Sequence, residues 1–265
     1  MSSTFFKKKI KKRTNTILIP YLIFLCVGTL IYIMVKMDSN FQNICYVFID
    51  SIIYRPKVFY QIWFLRDLYI MMCLSPLVAI ICKKCCFLIL IPMILWLSGA
   101  YCSWISIEAI LFFIVGAFIA LNKYKIVVPL LISKVFLIVW IIGALILTIC
   151  NSSGYICPYF VHCILLIMGG LSLWNLYDNI NASVARKINT WPILQYSFFI
   201  YLIHEPILTI IKKTFLFVLG QSDTYVFIIY ILAPILTILF AYLIGVLLNK
   251  FCPCVLNVLT GNRSR

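Results

Sequence analysis

Long apolar stretches, separated by short basic or polar segments, run along almost the whole chain. The stretches are continuous and lack the two-residue alternation of a transmembrane β-strand, so the pattern predicts helices. A helix needs about 20 residues to cross a bilayer, and on that basis we count roughly eight spans. They cover residues 16–35, 61–82, 85–99, 105–121, 133–150, 158–174, 193–211 and 225–248. We therefore predict an all-α fold, a polytopic transmembrane helix bundle whose short third span could be tilted or partly re-entrant.

The composition indicates a membrane protein rather than a globular one. Of the 265 residues, 65% are hydrophobic and 11% are charged, and the mean hydropathy is +1.11. One globular core cannot bury that much apolar surface, whereas a bilayer accepts it. A net charge of +15 would suggest nucleic acid in a soluble protein. Here the cations lie in clusters between apolar runs, so we expect no nucleic-acid partner.

The basic clusters also predict how the spans are oriented. With a cytoplasmic amino terminus, most of the 22 lysines and arginines fall in inner segments, as the positive-inside rule requires. Lys212 and Lys213 form the cluster that departs from the rule. Both termini are then cytoplasmic, in agreement with an even number of spans. The longest polar connections, residues 36–60 and 175–192, are too short for an independent core. We expect one integral membrane domain over residues 1–265, multi-pass in the inner (plasma) membrane, with the lipid bilayer as a partner.

Ionisable side chains inside the predicted spans are the candidates for a functional site. In the predicted topology they lie at similar depth below the outer surface. They are Arg66, Asp67, Glu108, His162, His204 and Glu205. Charge in hydrocarbon is costly and persists where such groups pair with each other or line water. We predict that these side chains converge in a polar cavity that opens to the outer face.

Other roles are open for most of these residues. Arg66 and the next residue could form a purely structural ion pair, or Arg66 could extend to the headgroups. Glu108 lies so near the start of its helix that an interfacial position is an alternative. His162 could serve only as a hydrogen-bonding residue between helices. The strongest candidate is His204, because Pro206 frees a backbone carbonyl and kinks the helix, as is common where a site is built.

Several motifs follow one another along nearly the whole chain. A basic segment from Lys7 to Arg13 leads into Ile19-Pro20-Tyr21, and Trp63-Phe64-Leu65-Arg66-Asp67-Leu68 runs on to Ser75-Pro76-Leu77. Next come Phe112-Phe113-Ile114-Val115-Gly116-Ala117, Phe199-Ile200-Tyr201-Leu202-Ile203-His204-Glu205-Pro206 and Val258-Leu259-Thr260-Gly261-Asn262-Arg263. The series resembles the acyltransferase-3 family of bacterial integral-membrane acyltransferases.

The resemblance implies an activity and its substrates. Members of this family move an acyl group, most often acetyl, from a cytoplasmic acyl-CoA to a sugar hydroxyl of a cell-envelope glycan such as a polysaccharide or lipopolysaccharide. We expect the same O-acetylation here. Acyl-CoA is then a donor substrate, and we expect no permanently bound cofactor and no metal. The glycan acceptor is the implied partner.

The chemistry suggests roles for the candidate residues. A sugar hydroxyl is a poor nucleophile at neutral pH and needs a positioned base, while a thioester carbonyl gains from donors aimed at its developing oxyanion. We expect His204 to act as base or as a hydrogen-bond partner, with Glu205 as its orienter or as a ligand of the acceptor hydroxyl. Arg66, held by Asp67, would be a cationic stabiliser. The substrate-binding candidates are Glu108, His162, Trp63 and Tyr201. The donor phosphates are expected at Lys9, Lys12 and Arg13, whose alternative role is to set orientation.

The sequence departs from the family pattern at its beginning. Family members start with a span that carries an arginine and then a histidine thought to be the catalytic base. This chain starts where their third helix would, so we expect the first two helices to be missing, and neither His162 nor His204 matches that histidine. The alternatives are a truncated product, a partner polypeptide that supplies the missing helices, or a degenerate member without activity. A competing class is a glycan-lipid flippase or small-solute transporter that uses the same charges as a translocation path.

Overall fold

Helices account for almost every residue that the structure describes. It is a computed structural model, and it describes residues 3–36, 41–54, 56–84, 86–124, 129–152, 154–155, 157–180, 182–220 and 222–261. Helices α1 to α7 are Ser3–Arg13, Ile19–Lys36, Phe41–Ile53, Trp63–Cys73, Ser75–Lys84, Leu90–Leu97 and Ile107–Leu121. Helices α8 to α14 are Leu130–Ser152, Tyr159–Asp178, Ala182–Asn189, Pro192–Gln195, Ser197–Leu219, Asp223–Phe251 and Pro253–Leu259. A π-helical turn, Thr14–Leu18, joins α1 to α2, and 3-10 turns precede α4 (Tyr60–Ile62) and α6 (Cys86–Ile89). No strand occurs in these residues, so the predicted all-α class is confirmed.

Each predicted span overlaps one or two of these helices. In the described part of the chain, four helices are long and apolar enough to cross a membrane: Phe6–Val35, Leu130–Cys150, Tyr159–Asp178 and Tyr225–Phe251. The broken pair Tyr60–Cys73 and Ser75–Lys84 makes a fifth if it is one span. Phe87–Leu97 and Ile107–Leu121 are apolar but shorter, and the long α12 carries several charged side chains. The count of roughly eight spans and the cytoplasmic position of both termini stay predictions.

The predicted span 61–82 is two helices rather than one continuous helix. Helix α4 ends at Cys73, and α5 begins at Ser75 with Pro76 as its second residue. A proline has no N–H and disfavours the helical conformation of the residue before it, but the first turn of a helix accepts it. The break therefore lies where the proline allows a new helix to start.

Helix α3 lies in the segment 36–60, where we expected a polar connection, and that expectation needs correcting. One face of α3 is covered, with Ser51 buried and Phe48 and Ile52 packed against the core. The other face exposes Tyr46 and Ile49. Because α3 is short and mixes polar with apolar positions, a search for long apolar runs does not find it.

The chain divides into two compact units, Met1–Cys73 with Trp191–Arg265, and Leu74–Thr190. In the first unit, α2, α4, α12 and the turn Tyr60–Ile62 enclose a buried apolar cluster. Its members are Ile17, Tyr21, Phe24, Leu25, Phe59, Ile62, Leu65 and Leu202. The Phe24 and Phe59 rings meet edge to face at 5.1 Å, a favourable aromatic geometry. That a single domain covers residues 1–265 stays a prediction.

The carboxyl-terminal end of the first unit packs on the π-helical turn. Gly261 follows α14 with φ of +62°, in the left-handed region that favours glycine. A Cβ atom at this position would lie 2.5 Å from Thr16 Cα and 2.9 Å from Thr16 O. Only a residue without a side chain allows this approach. Asn262 and Arg263, which complete the last motif, lie outside the described residues.

The second unit contains α5 to α10. Trp96 of α6, Leu111 of α7 and Cys163 of α9 form its buried core. Helices α8 and α9 pack along each other, and a Cβ atom at Gly169 would lie 2.8 Å from the Trp140 ring. Gly169 therefore lets the two helices approach closely at that level.

Candidate functional site

His204 lies on α12, and one of its ring nitrogens forms a hydrogen bond within the helix. Its Nδ1 is 2.8 Å from the backbone carbonyl oxygen of Tyr201. A carbonyl oxygen only accepts hydrogen bonds, so this contact assigns the proton of the neutral imidazole to Nδ1. Nε2 is then the basic nitrogen, and it has no hydrogen-bond partner among the described residues. The side chain is half-buried. This is the arrangement expected of a histidine that accepts a proton through Nε2.

The helix around His204 is interrupted by Pro206. Proline has no N–H, so Leu202 O, four residues earlier, lacks its usual helical donor. The Gln61 side chain supplies a replacement, since its Nε2 donates to Leu202 O at 2.9 Å and to Tyr201 O at 3.3 Å. In return, the Tyr201 hydroxyl donates to the backbone carbonyl of Gln61 at 2.6 Å. We call these three hydrogen bonds the Gln61 clamp.

Arg66 and Asp67 form the predicted ion pair, and Arg66 also closes the end of α3. Arg66 Nε lies 3.0 Å from Asp67 Oδ1, and the Asp67 side chain is fully buried. Arg66 Nη1 donates to the carbonyl oxygens of Ile52, Ile53 and Tyr54 at 3.0, 2.8 and 2.6 Å. The last carbonyls of a helix have no partner within the helix and carry partial negative charge. The guanidinium therefore ties α4 to the carboxyl end of α3.

The other predicted residues of this unit lie on α1, α4 and α12. Glu205 is half-buried, and it forms no hydrogen bond or ion pair with another described residue, so the contact that orients His204 comes from Tyr201 instead. The Trp63 ring stands edge-on to Phe64 at 6.2 Å. Lys9, Lys12 and Arg13 are exposed on α1, and their spacing of three and four residues places them on one face of that helix.

Three buried polar atoms of the first unit have no hydrogen-bond partner in the described part of the chain. They are Thr16 Oγ1, Tyr21 Oη and Gln61 Oε1. The Tyr21 side chain is 3% exposed and lies within electrostatic reach of Arg66 and Asp67. Buried polar groups are normally satisfied by protein, water or ligand. These atoms are therefore the places where the first unit can accept or donate a further hydrogen bond.

In the second unit, Glu108 connects three helices. Its Oε1 accepts hydrogen bonds from Trp96 Nε1 at 3.0 Å and from the Tyr159 hydroxyl at 3.2 Å. His162 is exposed, lies 5.9 Å from the Tyr159 ring between ring centres, and lines a cavity of about 710 Å³ between α8 and α9. Glu108 and His162 thus share a neighbour in Tyr159. The predicted convergence of all six ionisable side chains in one cavity stays a prediction.

Almost the whole chain matches one protein family. Residues 2–249 match the family model Acyl_transf_3, described as an acyltransferase domain. The chain belongs to the acyltransferase-3 family. The resemblance predicted from the motifs is confirmed, and membership establishes a membrane acyltransferase in general terms. No curated protein and no solved structure matches the chain.

Two residues of this acyltransferase-3 chain were missed by the sequence prediction. Gln61 lies two residues before the predicted Trp63 motif, and Tyr21 ends the Ile19-Pro20-Tyr21 motif. The signal for Gln61 was partly visible, because the carbonyl freed by Pro206 needs a donor from elsewhere in the fold. Nothing in the sequence indicated which side chain would supply it.

Proposed function

We propose that this acyltransferase-3 protein transfers an acyl group, normally acetyl, from acyl-CoA to a sugar hydroxyl of a cell-envelope glycan. The observation that carries the proposal is the 2.8 Å contact between His204 Nδ1 and Tyr201 O, which leaves Nε2 as the basic nitrogen. A base of this kind, half-buried within an apolar helix, suits the activation of a hydroxyl at neutral pH.

The proposed reaction uses His204 twice. Nε2 takes the proton of the sugar hydroxyl as its oxygen attacks the thioester carbonyl carbon, giving a tetrahedral oxyanion. The imidazolium is stabilised through its Nδ1–H by Tyr201 O. When the C–S bond breaks, the CoA sulfur leaves as thiolate and receives the same proton from Nε2. The products are the acyl ester of the sugar and free CoA.

The remaining residues serve charge and binding in this proposal. Arg66 is the cationic stabiliser of the oxyanion, and Nη2 is the part of its guanidinium that donates to no described residue. Asp67 fixes Arg66 by their ion pair. Lys9, Lys12 and Arg13 of α1 bind the donor's phosphates, because phosphate oxygens accept charge-assisted hydrogen bonds from ammonium and guanidinium groups. In the first unit, Trp63, Tyr201 and Glu205 are the proposed ligands of the glycan acceptor. In the second unit, the proposed ligands are Glu108 and His162.

The family and the apolar helices support a membrane location. We place the protein in the inner (plasma) membrane, with the acyl-CoA donor on the cytoplasmic side and the envelope glycan on the other. A partner polypeptide that contributes further helices is compatible with this proposal.

Donor-dependent labelling tests the proposal. The purified protein is reconstituted in vesicles of host lipid with radiolabelled acetyl-CoA and host envelope glycan, and label in ester linkage to sugar is measured. We compare the unmodified chain with His204→Asn, whose amide Nδ2 can still donate to Tyr201 O but which offers no base. We expect ester product from the unmodified chain and a loss of at least about 10²-fold in the variant.

Two results would contradict the proposal. Equal product from His204→Asn would remove His204 from the reaction. Glycan or solute flux without donor, together with no ester, would favour a transporter. A hydroxylamine treatment that releases the label distinguishes an O-ester from trapped donor.

A further inference from the structure

We propose that Gln61 is a positioning residue for His204. The inference rests on the proposed role of His204 as base and adds a side chain that lies outside the predicted site. Gln61 acts through backbone carbonyls of α12 and not by touching a substrate.

The first step concerns the kink at Pro206. Leu202 is fully buried, so water does not compensate for the donor that its carbonyl oxygen lost to the proline. Gln61 Nε2 lies 2.9 Å from this oxygen. The amide therefore satisfies the one carbonyl that the proline leaves without a helical donor.

The second step concerns the orientation of the amide. Both contacts of Gln61 Nε2 are to carbonyl oxygens, which only accept, so the nitrogen and oxygen of the amide are assigned without ambiguity. The Tyr201 hydroxyl binds the backbone of Gln61 at 2.6 Å. The Gln61 clamp thus holds the turn Tyr60–Ile62 and α12 together from both sides.

The third step connects the clamp to the imidazole. Tyr201 O accepts one hydrogen bond from Gln61 Nε2 and one from His204 Nδ1. The carbonyl that assigns the His204 tautomer is therefore fixed in place by Gln61. Without the amide, the turn of α12 around Leu202 relaxes toward another donor, and the ring becomes free to carry its proton on Nε2. In that tautomer Nε2 is no longer a base.

The histidine content of the chain allows a direct test. The chain has 2 histidines, so His162→Gln leaves His204 as the single imidazole. With ¹⁵N-labelled histidine, NMR of this variant in lipid reports which ring nitrogen carries the proton. We expect the Nδ1–H form to dominate at neutral pH. Adding Gln61→Met should lower the ratio of Nδ1–H to Nε2–H forms by about fivefold, the fold-change that one ordinary hydrogen bond produces.

A matched control is Gln195→Met, which removes an exposed glutamine of α11 and should leave the ratio unchanged. An unchanged ratio in Gln61→Met would overturn the inference. The measurement needs no acyl transfer. If the expected tautomers are seen while the chain with His162 intact makes no ester, the proposed function is refuted and the role of Gln61 in fixing the tautomer stands.

A second variant, Gln61→Glu, controls for misfolding and makes the tautomer ratio of His204 depend on pH. Gln61→Glu keeps the shape of the side chain. Its protonated carboxyl donates one hydrogen bond and its ionised form donates none. The tautomer ratio of neutral His204 should then fall as pH rises, whereas it is independent of pH when Gln61 is present. A flat ratio in Gln61→Glu would also overturn the inference.

Discussion

Arg66 Nη1 donates a 2.6 Å hydrogen bond to the backbone carbonyl of Tyr54, just beyond the last residue of α3. The two residues are twelve positions apart in the chain, and the contact fixes a short amphipathic helix to α4. Arg66 also pairs with the fully buried Asp67. One guanidinium therefore serves an ion pair and a helix end at the same time.

Arg66→Met should release α3 and destabilise the first unit. The variant leaves the carbonyls of Ile52, Ile53 and Tyr54 without this donor and breaks the ion pair with the buried Asp67, for which a cost of about 3–5 kcal/mol is typical. Hydrogen exchange over residues 41–54 should accelerate, and the melting temperature in detergent should fall. Asp67→Asn is the comparison, because it removes the ion pair and keeps the contact to α3. Equal exchange of α3 in both variants would contradict this assignment.

Lys57→Met should lower the stability of the first unit little, although it also removes a cation bound to α3. Lys57 Nζ lies 2.8 Å from Asp50 Oδ2, and its side chain is 43% exposed. This hydrogen bond raises the pKa of Lys57 above its usual 10.5, so its contribution is fully present at neutral pH and is lost only as pH rises through the raised pKa. Exposed pairs contribute about 0–1 kcal/mol. The melting temperatures of Lys57→Met and of the unmodified chain should stay close to each other from pH 7 to 9. A much lower melting temperature of the variant would mean that solvent does not screen this ion pair.

Gln61→Met should destabilise the protein less in a chain that already carries Pro206→Ala. Alanine restores the amide donor that Leu202 O lacks, so the carbonyl no longer depends on Gln61. The two substitutions should couple by about 1 kcal/mol. Melting temperatures of the single and double variants in one detergent measure the coupling. Strictly additive effects would show that the amide does not replace the missing helical bond.

Gly261→Ala should destabilise the packing of the carboxyl-terminal segment on the π-helical turn. The new methyl group meets the Thr16 backbone, which cannot rotate away as a side chain can, and φ is positive. We expect a loss of about 2–4 kcal/mol, more than strain alone explains. Gly154→Ala is the control, because φ is also positive there while the space around it is open. Comparable losses in both variants would show that the contact with Thr16 does not matter.

Glu108→Gln should preserve the packing of the second unit, whereas Glu108→Ala should loosen it. The amide oxygen of glutamine can still accept from Trp96 and Tyr159, but the charge is gone. We expect the melting temperature of Glu108→Gln to lie close to that of the unmodified chain, and Glu108→Ala to lose about 1–3 kcal/mol. If acyl transfer falls in Glu108→Gln while stability is kept, the carboxylate acts on substrate. If stability falls equally in both variants, the hydrogen bonds to Oε1 do not hold the helices.

Much of the fold was predictable because apolar runs have a clear length signature. Each predicted span overlaps a helix, and the ion pair between Arg66 and Asp67 follows from their adjacency. Helix α3 was not predictable by that criterion, since it mixes polar with apolar positions and is too short to cross a bilayer. Ser75-Pro76 indicated a helix break near Leu74, but a proline within a span can either kink a helix or end it. The sequence alone therefore did not predict two separate helices.

The site was predictable in part for the same reason. Pro206 indicated a free carbonyl beside His204, and the structure places an acceptor and a donor there. The donor, Gln61, is about 140 residues away in the chain, and spacing carries no information on a contact of that range. The sequence also could not predict that a backbone carbonyl, and not Glu205, orients His204. Every residue has a backbone carbonyl, so the sequence does not indicate which one accepts a side-chain hydrogen bond.

Helix α8 has a consequence for the bilayer itself. Among its described side chains only Ser133 is buried, and Asn175 of α9 binds its hydroxyl at 2.6 Å. At 23 residues α8 is about 35 Å long, longer than the hydrocarbon thickness of about 30 Å. Hydrophobic mismatch is relieved by tilting, and α8 packs along α9 with Gly169 of α9 against the Trp140 ring. Lipid chain length should therefore set the inclination of α8 and α9 together.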